Sequence, residues 1–187
     1  MAVNCLIYWG SSALTAGRYH YDFTMAFDRE VPLLPVFVWF YILAFPFWAV
    51  GYLLAARRGK DMFYRFVATD LTIHFICFIC FILIPTTNIR PEIAGNTLSE
   101  KLLALVYSLD GGNSPSNLFP SIHCYVSWMC WKGVEGSEKV PKWYQRFSLV
   151  FAILIIISTQ VLKQHYIVDA AAALLLVEFF WRFYQKG

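Results

Sequence analysis

The fold is decided by residues 147–184, which read FSLVFAILIIISTQVLKQHYIVDAAAALLLVEFFWRFY. Two strongly apolar runs, Phe147–Leu162 and Val168–Tyr184, flank a short polar stretch that contains His165 and Asp169. A membrane-spanning helix needs roughly 20 apolar residues, and both runs come close to that length. The stretch therefore predicts two membrane helices with titratable groups at their junction, where such groups are costly and usually functional.

The composition of the whole chain indicates a membrane protein. Its 187 residues are 59% hydrophobic and 14% charged, with a mean hydropathy of +0.54, whereas soluble domains are about 45–50% apolar and about 25% charged. The formal net charge is only +3, and without a basic face we expect no nucleic-acid partner. One Cys-x-x-Cys pair is present, Cys77 and Cys80, but no second pair completes a zinc site, so we expect no metal and no cofactor.

We predict five or six membrane spans. Leu33–Ala56 contains no charge, and Phe66–Ile84 contains Asp70 and His74. The other candidates are shorter, namely Phe147–Leu162, Val168–Tyr184, Ile122–Lys132 and the N-terminal Val3–Ala16. We therefore expect an all-α integral membrane bundle, which forms a single domain over residues 1–187 with its core at roughly 63–187.

The distribution of Lys and Arg predicts the orientation of the spans. Basic residues cluster in two connections and in the C-terminal tail, which we assign to the cytoplasm: Arg57, Arg58, Lys60, Arg65, Lys132, Lys139, Lys142, Arg146, Arg182 and Lys186. Threading the spans in order then places residues 90–123 and 163–169 together on the outer side. We expect a multi-pass protein of the cell membrane whose active site faces the extracytoplasmic side.

The outer connection Pro85–Pro120 is long and contains a predicted short helix. Thr97 and Glu100 form the Thr-x-x-Glu pattern of a capping box. An apolar face follows at helical spacing, made of Leu98, Leu102, Leu105, Val106 and Leu109. The segment is too short and too amphipathic to span the bilayer, so we expect an interfacial helix that ends at residues 110–113 and acts as a possible gate.

Two histidines and one carboxylate form the predicted reactive site. His165 and Asp169 are four residues apart, a spacing that places them on one face of a helix. Asp169 would then accept a hydrogen bond from one ring nitrogen of His165 and leave the other nitrogen free to attack. His123, at the start of another helix, would serve as the general acid.

An anion site is predicted beside these groups. Arg90 offers a planar guanidinium that suits phosphate, and Lys163 lies two residues before His165. Ser121 and Val168 lie near outward-facing helix N-termini, which favour anions. An anion attacked by a histidine fits a phosphate ester and gives a phosphohistidine intermediate.

These residues resemble the three motifs of the type 2 phosphatidic acid phosphatase family. The family motifs read Lys-x6-Arg-Pro, Pro-Ser-Gly-His and Ser-Arg-x5-His-x3-Asp, and the chain has Arg90-Pro91, Pro120-Ser121-Ile122-His123 and Ser158 through His165 to Asp169. The resemblance implies metal-independent phosphoryl transfer from a lipid phosphate, with His165 as nucleophile, Asp169 as its partner and His123 as acid. The predicted phosphate-binding positions are Arg90, Ser121, Ile122 and Lys163.

The chain departs from the family pattern at three positions. Leu83, Ile122 and Thr159 stand where the motifs have Lys, Gly and Arg. Two positive charges are therefore missing from the phosphate site; Lys163 would restore one, and Lys101 is a weaker candidate. Gln164-His165-Tyr166 before the Asp also resembles the inositolphosphotransferase and sphingolipid-synthase branch, which transfers a phosphorylated head group to an alcohol instead of water.

The sequence thus predicts a membrane lipid phosphatase that hydrolyses a phosphomonoester or pyrophosphate, of the phosphatidic acid, phosphatidylglycerophosphate or polyprenyl pyrophosphate type. One alternative is a lipid phosphotransferase with an alcohol acceptor. Another is a non-enzymatic transporter or structural protein that uses Asp70, His74 and Glu178. The predicted partners are a lipid phosphate and the bilayer, and the sequence favours no oligomeric state.

Overall fold

The structure, a computed structural model, describes residues 2–112 and 115–185, with the backbone alone at residues 2–6 and 9. Its α-helices are α1 (Ala2–Thr15), α2 (Ala26–Glu30), α3 (Val38–Ala56, after a 3₁₀ turn at Pro35–Phe37), α4 (Lys60–Leu83), α5 (Leu98–Leu109), α6 (Ile122–Val134), α7 (Lys142–Val161) and α8 (Ile167–Phe183). Two short strands, β1 (Tyr21–Asp22) and β2 (Thr86–Thr87), pair in parallel. The predicted all-α bundle is confirmed.

Among the residues that the structure describes, three segments are long and apolar enough to cross a membrane by length and composition: Pro35–Ala56, Lys60–Leu83 and Lys142–Val161. They support a membrane protein. The remaining candidates are shorter helices, since α1 has 14 residues, α6 has 13 and α8 has 17. Whether α1, α6 and α8 also cross the membrane is untested, so the count of five or six spans stays a prediction.

Helix α6 lies at the centre of the bundle. It packs against α3, α7 and α8, and its Tyr125, Val126 and Met129 side chains are fully buried. Close approach of α3 depends on Gly51, because a Cβ there would lie 2.5 Å from Sγ and 2.7 Å from Cβ of Cys130. The position of His123, at the start of α6, is therefore fixed by tight helix packing.

We expect Gly51→Ala to destabilise the protein by about 1–3 kcal/mol, because the added methyl group overlaps Cys130 and forces α3 away from α6. Thermal unfolding in detergent measures the effect. Gly10→Ala is the matched control, since it lies in a helix and nothing lies within 4 Å of its added Cβ. The close-packing account is wrong if the two variants unfold at the same temperature.

The two ends of the bundle differ in chemistry. At one end, Arg58 donates to the carbonyl oxygens of Gly133 and Glu135, at 3.1 Å and 3.0 Å. At the other end, the Ser121 amide donates to the carbonyl oxygen of Asp169 at 3.2 Å. The start of α6 and the start of α8 therefore meet at the end away from the basic connections, as threading predicted.

Helix α5 begins with the predicted capping box. The Thr97 hydroxyl accepts from the Glu100 amide at 3.2 Å, and the Glu100 carboxylate accepts from the Thr97 amide at 3.1 Å. The helix packs on α3 through Leu103 and Tyr107, residues outside the predicted apolar face. That face is divided, since its members Leu98, Leu105 and Leu109 are exposed, as suits a helix at a membrane surface.

The intramembrane pair Asp70 and His74 bonds to a neighbouring helix. Nδ1 of His74 lies 3.3 Å from the Asp70 carboxylate, and the Tyr125 hydroxyl of α6 lies 2.7 Å from Nε2 of His74. The Glu178 carboxylate accepts from Nε1 of Trp128 at 2.9 Å. A joint role of Glu178 with Asp70 and His74 stays a prediction.

Candidate active site

His165 and Asp169 lie at the junction of α7 and α8. Nδ1 of His165 is 3.4 Å from Oδ2 of Asp169, and both residues are buried. The same carboxylate accepts from the Tyr166 amide at 2.9 Å, so it also caps α8. The contact is longer than a formed hydrogen bond, as is common at catalytic sites before a substrate binds. The carboxylate faces Nδ1, so Nε2 is the ring nitrogen on the side away from Asp169.

His123 reaches the same place from α6. Its ring centroid is 6.1 Å from that of His165. The ring stacks on Tyr41 of α3 at 4.3 Å and lies 5.1 Å from the ring of Trp48. Helix α6 is started by Ser121, whose hydroxyl accepts from the Cys124 amide at 3.3 Å. The structure thus brings the three predicted catalytic side chains together.

The two histidines line a cavity of about 240 Å³, together with residues of α1, α3, α5 and α6. Its other polar lining residues include Asp110 and Asn117. The remaining walls are aromatic or aliphatic: Tyr8, Tyr41, Ile42, Phe45, Trp48, Val106, Leu109, Leu118 and Ile122. A cavity that combines a few polar groups with mostly apolar walls suits an amphiphile.

Arg90 is buried and contacts Gln164, the residue before His165. Its Nη1 donates to the carbonyl oxygens of Asp110 at 2.8 Å and Gly112 at 3.1 Å. Its Nη2 donates to the Asp110 carboxylate and to the amide oxygen of Gln164. The guanidinium also lies 4.7 Å above the ring of Tyr107. Arg90 is therefore at the site, with a carboxylate bound to it.

Tyr107 helps to fix this arrangement from α5. Burial raises the pKa of its hydroxyl to about 12, although Arg90 acts in the opposite direction. The hydroxyl therefore stays protonated at neutral pH and donates to the Leu162 carbonyl oxygen at 2.7 Å. This hydrogen bond joins α5 to the loop that contains His165.

Lys163 holds a neighbouring segment in this structure. Its ammonium donates to the carbonyl oxygens of Asp28, at 2.7 Å, and Val31. Partial burial lowers the pKa of Lys163, and Asp28 opposes this shift. The Asp28 carboxylate also accepts from the Ile167 amide at 2.9 Å, so carboxylates cover the start of α8. A phosphate contact by Lys163 requires these bonds to break, and it stays a prediction.

The other predicted phosphate positions are placed as follows. Ser121 is buried at the start of α6, and Ile122 lines the cavity. Lys101 is exposed on α5. Leu83 and Thr159, which replace basic residues of the motifs, are exposed and buried, respectively. Asn113, at the predicted end of the interfacial helix, lies outside the described residues.

Four buried side-chain nitrogens around the site lack a hydrogen-bond partner among the described residues: Nε of Arg90, Nε2 of His123, Nε2 of Gln164 and Nδ1 of His165. A buried polar atom without a partner costs about 1–3 kcal/mol, so such atoms require an explanation. The Arg90 and Gln164 nitrogens are donors, which fits an anionic ligand. Across the described residues, no group of three His, Cys, Asp or Glu is arranged to hold a metal ion.

Sequence reasoning missed Asp110 and gave Gln164 no role at the site. Gln164 was noted only as part of the variant motif before His165, although its amide oxygen holds Arg90. Asp110 was noted only as the end of α5, although it pairs with Arg90 and lines the cavity. The one available signal was a charged residue at the end of an amphipathic helix, which is ordinarily a solvated position.

Comparison with known proteins identifies the family. Residues 19–181 match the family model described as the PAP2 superfamily. No curated protein and no solved structure gives a match.

Proposed function

The chain belongs to the PAP2 superfamily, and from this premise we propose that it is a membrane lipid phosphatase acting through a phosphohistidine. Membership in a superfamily of phosphatases and phosphotransferases supports an enzyme. The observation on which the specific proposal rests is the meeting of His165, Asp169 and His123, with both histidines lining one largely apolar cavity.

In the first step, Nε2 of His165 attacks the phosphorus of the lipid phosphate. A P–N bond forms and the bond from phosphorus to the lipid oxygen breaks. Protonated His123 gives its proton to the departing oxygen, which leaves as an alcohol. Asp169 stabilises the positive charge that develops on the His165 ring.

In the second step, the now neutral His123 takes a proton from water. The water oxygen bonds to phosphorus, the P–N bond breaks, and inorganic phosphate leaves. His123 is then protonated and His165 is neutral, so the site returns to its starting state. Arg90, Gln164 and the Ser121 end of α6 would stabilise the phosphate oxygens throughout.

The apolar walls of the cavity support a lipid as the phosphate carrier. The cavity is lined by three aromatic side chains of α3, Tyr41, Phe45 and Trp48, and by Val106 of α5. An acyl or prenyl chain against these side chains would be removed from water, at a gain of about 25 cal/mol per Å² of buried apolar surface. We further propose that the site faces the extracytoplasmic side, because the basic connections lie at the opposite end of the bundle.

Phosphate release from a panel of lipid phosphates tests this function. Purified protein in detergent with EDTA is offered phosphatidic acid, phosphatidylglycerophosphate and a polyprenyl pyrophosphate. Release of phosphate from at least one of them is expected without added metal. Phosphate release that requires a divalent metal ion would contradict the proposal. So would the absence of phosphate release from every lipid phosphate, together with no transfer from a lipid that carries a phosphorylated head group.

Transfer of a phosphorylated head group to an alcohol is the second candidate. The pairing of Arg90 with Asp110 favours it, because a site with one cation already neutralised suits a singly charged phosphodiester better than a doubly charged monoester. In this reaction an alcohol replaces water in the second step. Product that appears only when an alcohol acceptor is added would establish the transferase over the phosphatase.

A transporter or structural role through Asp70 and His74 is the third candidate. The contact of His74 with Tyr125 favours a structural pair that joins α4 and α6. This candidate would be established if transport or bundle stability, measured in the membrane, is unchanged when His165 is replaced and is lost in Asp70→Asn.

A further inference from the structure

Asp110 occupies a position that no motif explains. It follows α5, its carboxylate binds Nη2 of Arg90, and its side chain is 22% exposed. The hydroxyl of Tyr8, from α1, donates to the other carboxylate oxygen. Asp110 also lines the cavity beside His123 and His165. A carboxylate thus lies at the place where an anionic substrate is expected.

The Asp110 carboxylate occupies one of the N–H groups through which Arg90 could bind a phosphate. Nη1 is held by two backbone carbonyl oxygens, which fix its orientation without adding charge. Nε has no hydrogen-bond partner among the described residues, and Nη2 is bound by Asp110 and Gln164. Arginine binds phosphate best through two parallel N–H groups. Nη2 has two acceptors, so a two-point contact that uses Nε and Nη2 requires one of them to leave, and the Asp110 carboxylate is the one whose charge repels a phosphate.

We propose that Asp110 is an internal counter-anion of Arg90, which the substrate phosphate must displace, and that it lowers the activity on doubly charged phosphomonoesters relative to singly charged phosphodiesters. This inference rests on the proposed phosphoryl transfer at His165. Asp110 is a positioning and specificity residue, since it acts on the phosphate through Arg90 and through its charge.

The selection follows from electrostatics. Repulsion between a carboxylate and a phosphate grows in proportion to the phosphate charge, so a dianion is repelled about twice as strongly as a monoanion. The low polarity of the surrounding cavity walls weakens the screening of this repulsion. Tyr8 gives the displaced carboxylate a hydrogen-bond donor, so Asp110 need not lose all its partners when it leaves Arg90.

A purely structural ion pair makes a different prediction. If Asp110 only held Arg90 in place, its loss would reduce activity on phosphomonoesters and phosphodiesters by the same factor. If it selects by charge, the ratio of kcat/KM for the two esters changes. The ratio therefore separates the two roles even when the absolute activity falls.

The test compares wild type with Asp110→Asn on phosphatidic acid and on a phosphodiester lipid with the same acyl chains, with an alcohol acceptor present. We expect the monoester-to-diester ratio of kcat/KM to rise by about 10- to 100-fold. The affinity for inorganic phosphate, measured by thermal stabilisation, should rise by a similar factor. Glu92→Gln is the matched control, because it removes the same charge from an exposed position in the same outer connection, and it should change neither quantity.

Tyr8→Phe gives an independent, opposite expectation. Without the tyrosine hydroxyl, the carboxylate has less to gain by leaving Arg90, so the ester ratio and the affinity for inorganic phosphate should both fall by several-fold. An unchanged ester ratio in both variants, with wild type active, would overturn the inference. One outcome would separate the two proposals: the affinity for inorganic phosphate rises in Asp110→Asn, but neither wild type nor any variant transfers a phosphoryl group. That outcome would support Asp110 as a counter-anion and contradict only the proposed function.

Discussion

His165→Ala is expected to lower kcat for lipid phosphate by roughly three orders of magnitude or more. The substitution removes the attacking nitrogen, and the described cavity contains no second nucleophile positioned beside Asp169. His123 cannot replace it, because its ring stacks on Tyr41 and has no carboxylate at hydrogen-bond distance among the described residues. Phosphate release under substrate saturation measures the loss.

The control for this variant is His20→Ala. His20 lies in the connection after α1, and its Nδ1 is 3.0 Å from the Arg18 carbonyl oxygen. It should keep wild-type kcat. Thermal unfolding of both variants shows whether the protein still folds. If folded His165→Ala keeps more than a tenth of wild-type kcat, the assignment of the nucleophile is wrong.

His123→Ala should lower kcat for lipid phosphates by about 10²- to 10⁴-fold, because a lipid alkoxide is a poor leaving group without a proton donor. The first step should recover with an aryl phosphate such as nitrophenyl phosphate, whose leaving group departs without protonation. The second step should remain slow, since His123 also activates water. A burst of nitrophenol followed by slow turnover is therefore expected.

The burst experiment separates two roles of His123. Equal losses on lipid and aryl phosphates, without a burst, would indicate that the residue only holds the site in shape. A restored first step with a trapped phosphoenzyme would assign it as acid and then base. The His123 ring stacks on Tyr41 and lies against Trp48, both of α3, and this packing would hold the proposed proton donor near the departing oxygen.

Local patterns were the most predictable from sequence. The capping box at Thr97 and Glu100 depends only on helix geometry, and the structure shows it. His165 and Asp169 do meet, at 3.4 Å, but the predicted shared helix face is wrong, because His165 lies in the loop before α8, which begins at Ile167. The meeting of His123 with His165 followed from threading the spans in order. Alternation of the chain between two sides of a membrane is enough to bring two distant stretches to one end of the bundle.

Contacts between distant residues could not be predicted. Tyr8 and Asp110 are separated by 102 positions, and Arg90 and Gln164 by 74. No periodicity or motif encodes such pairs, because they depend on how α1, α5 and the α7–α8 loop pack. Lys163 shows the related limit. Its place in the chain suggests a phosphate contact, yet a left-handed backbone with φ of 53° and two carbonyl oxygens fix its side chain elsewhere.

The most direct test of the central claim is the detection of a phosphoryl group on His165. Protein mixed with a ³²P-labelled lipid phosphate is quenched within milliseconds in alkali, which preserves phosphohistidine, and the labelled peptide is mapped. The mechanism predicts an acid-labile label on the peptide that contains His165 in wild type and its absence in His165→Ala. In His123→Ala the label should accumulate when a ³²P-labelled aryl phosphate replaces the lipid, because that leaving group departs without protonation. Turnover by wild type with no label at His165, in either wild type or His123→Ala, would contradict the account.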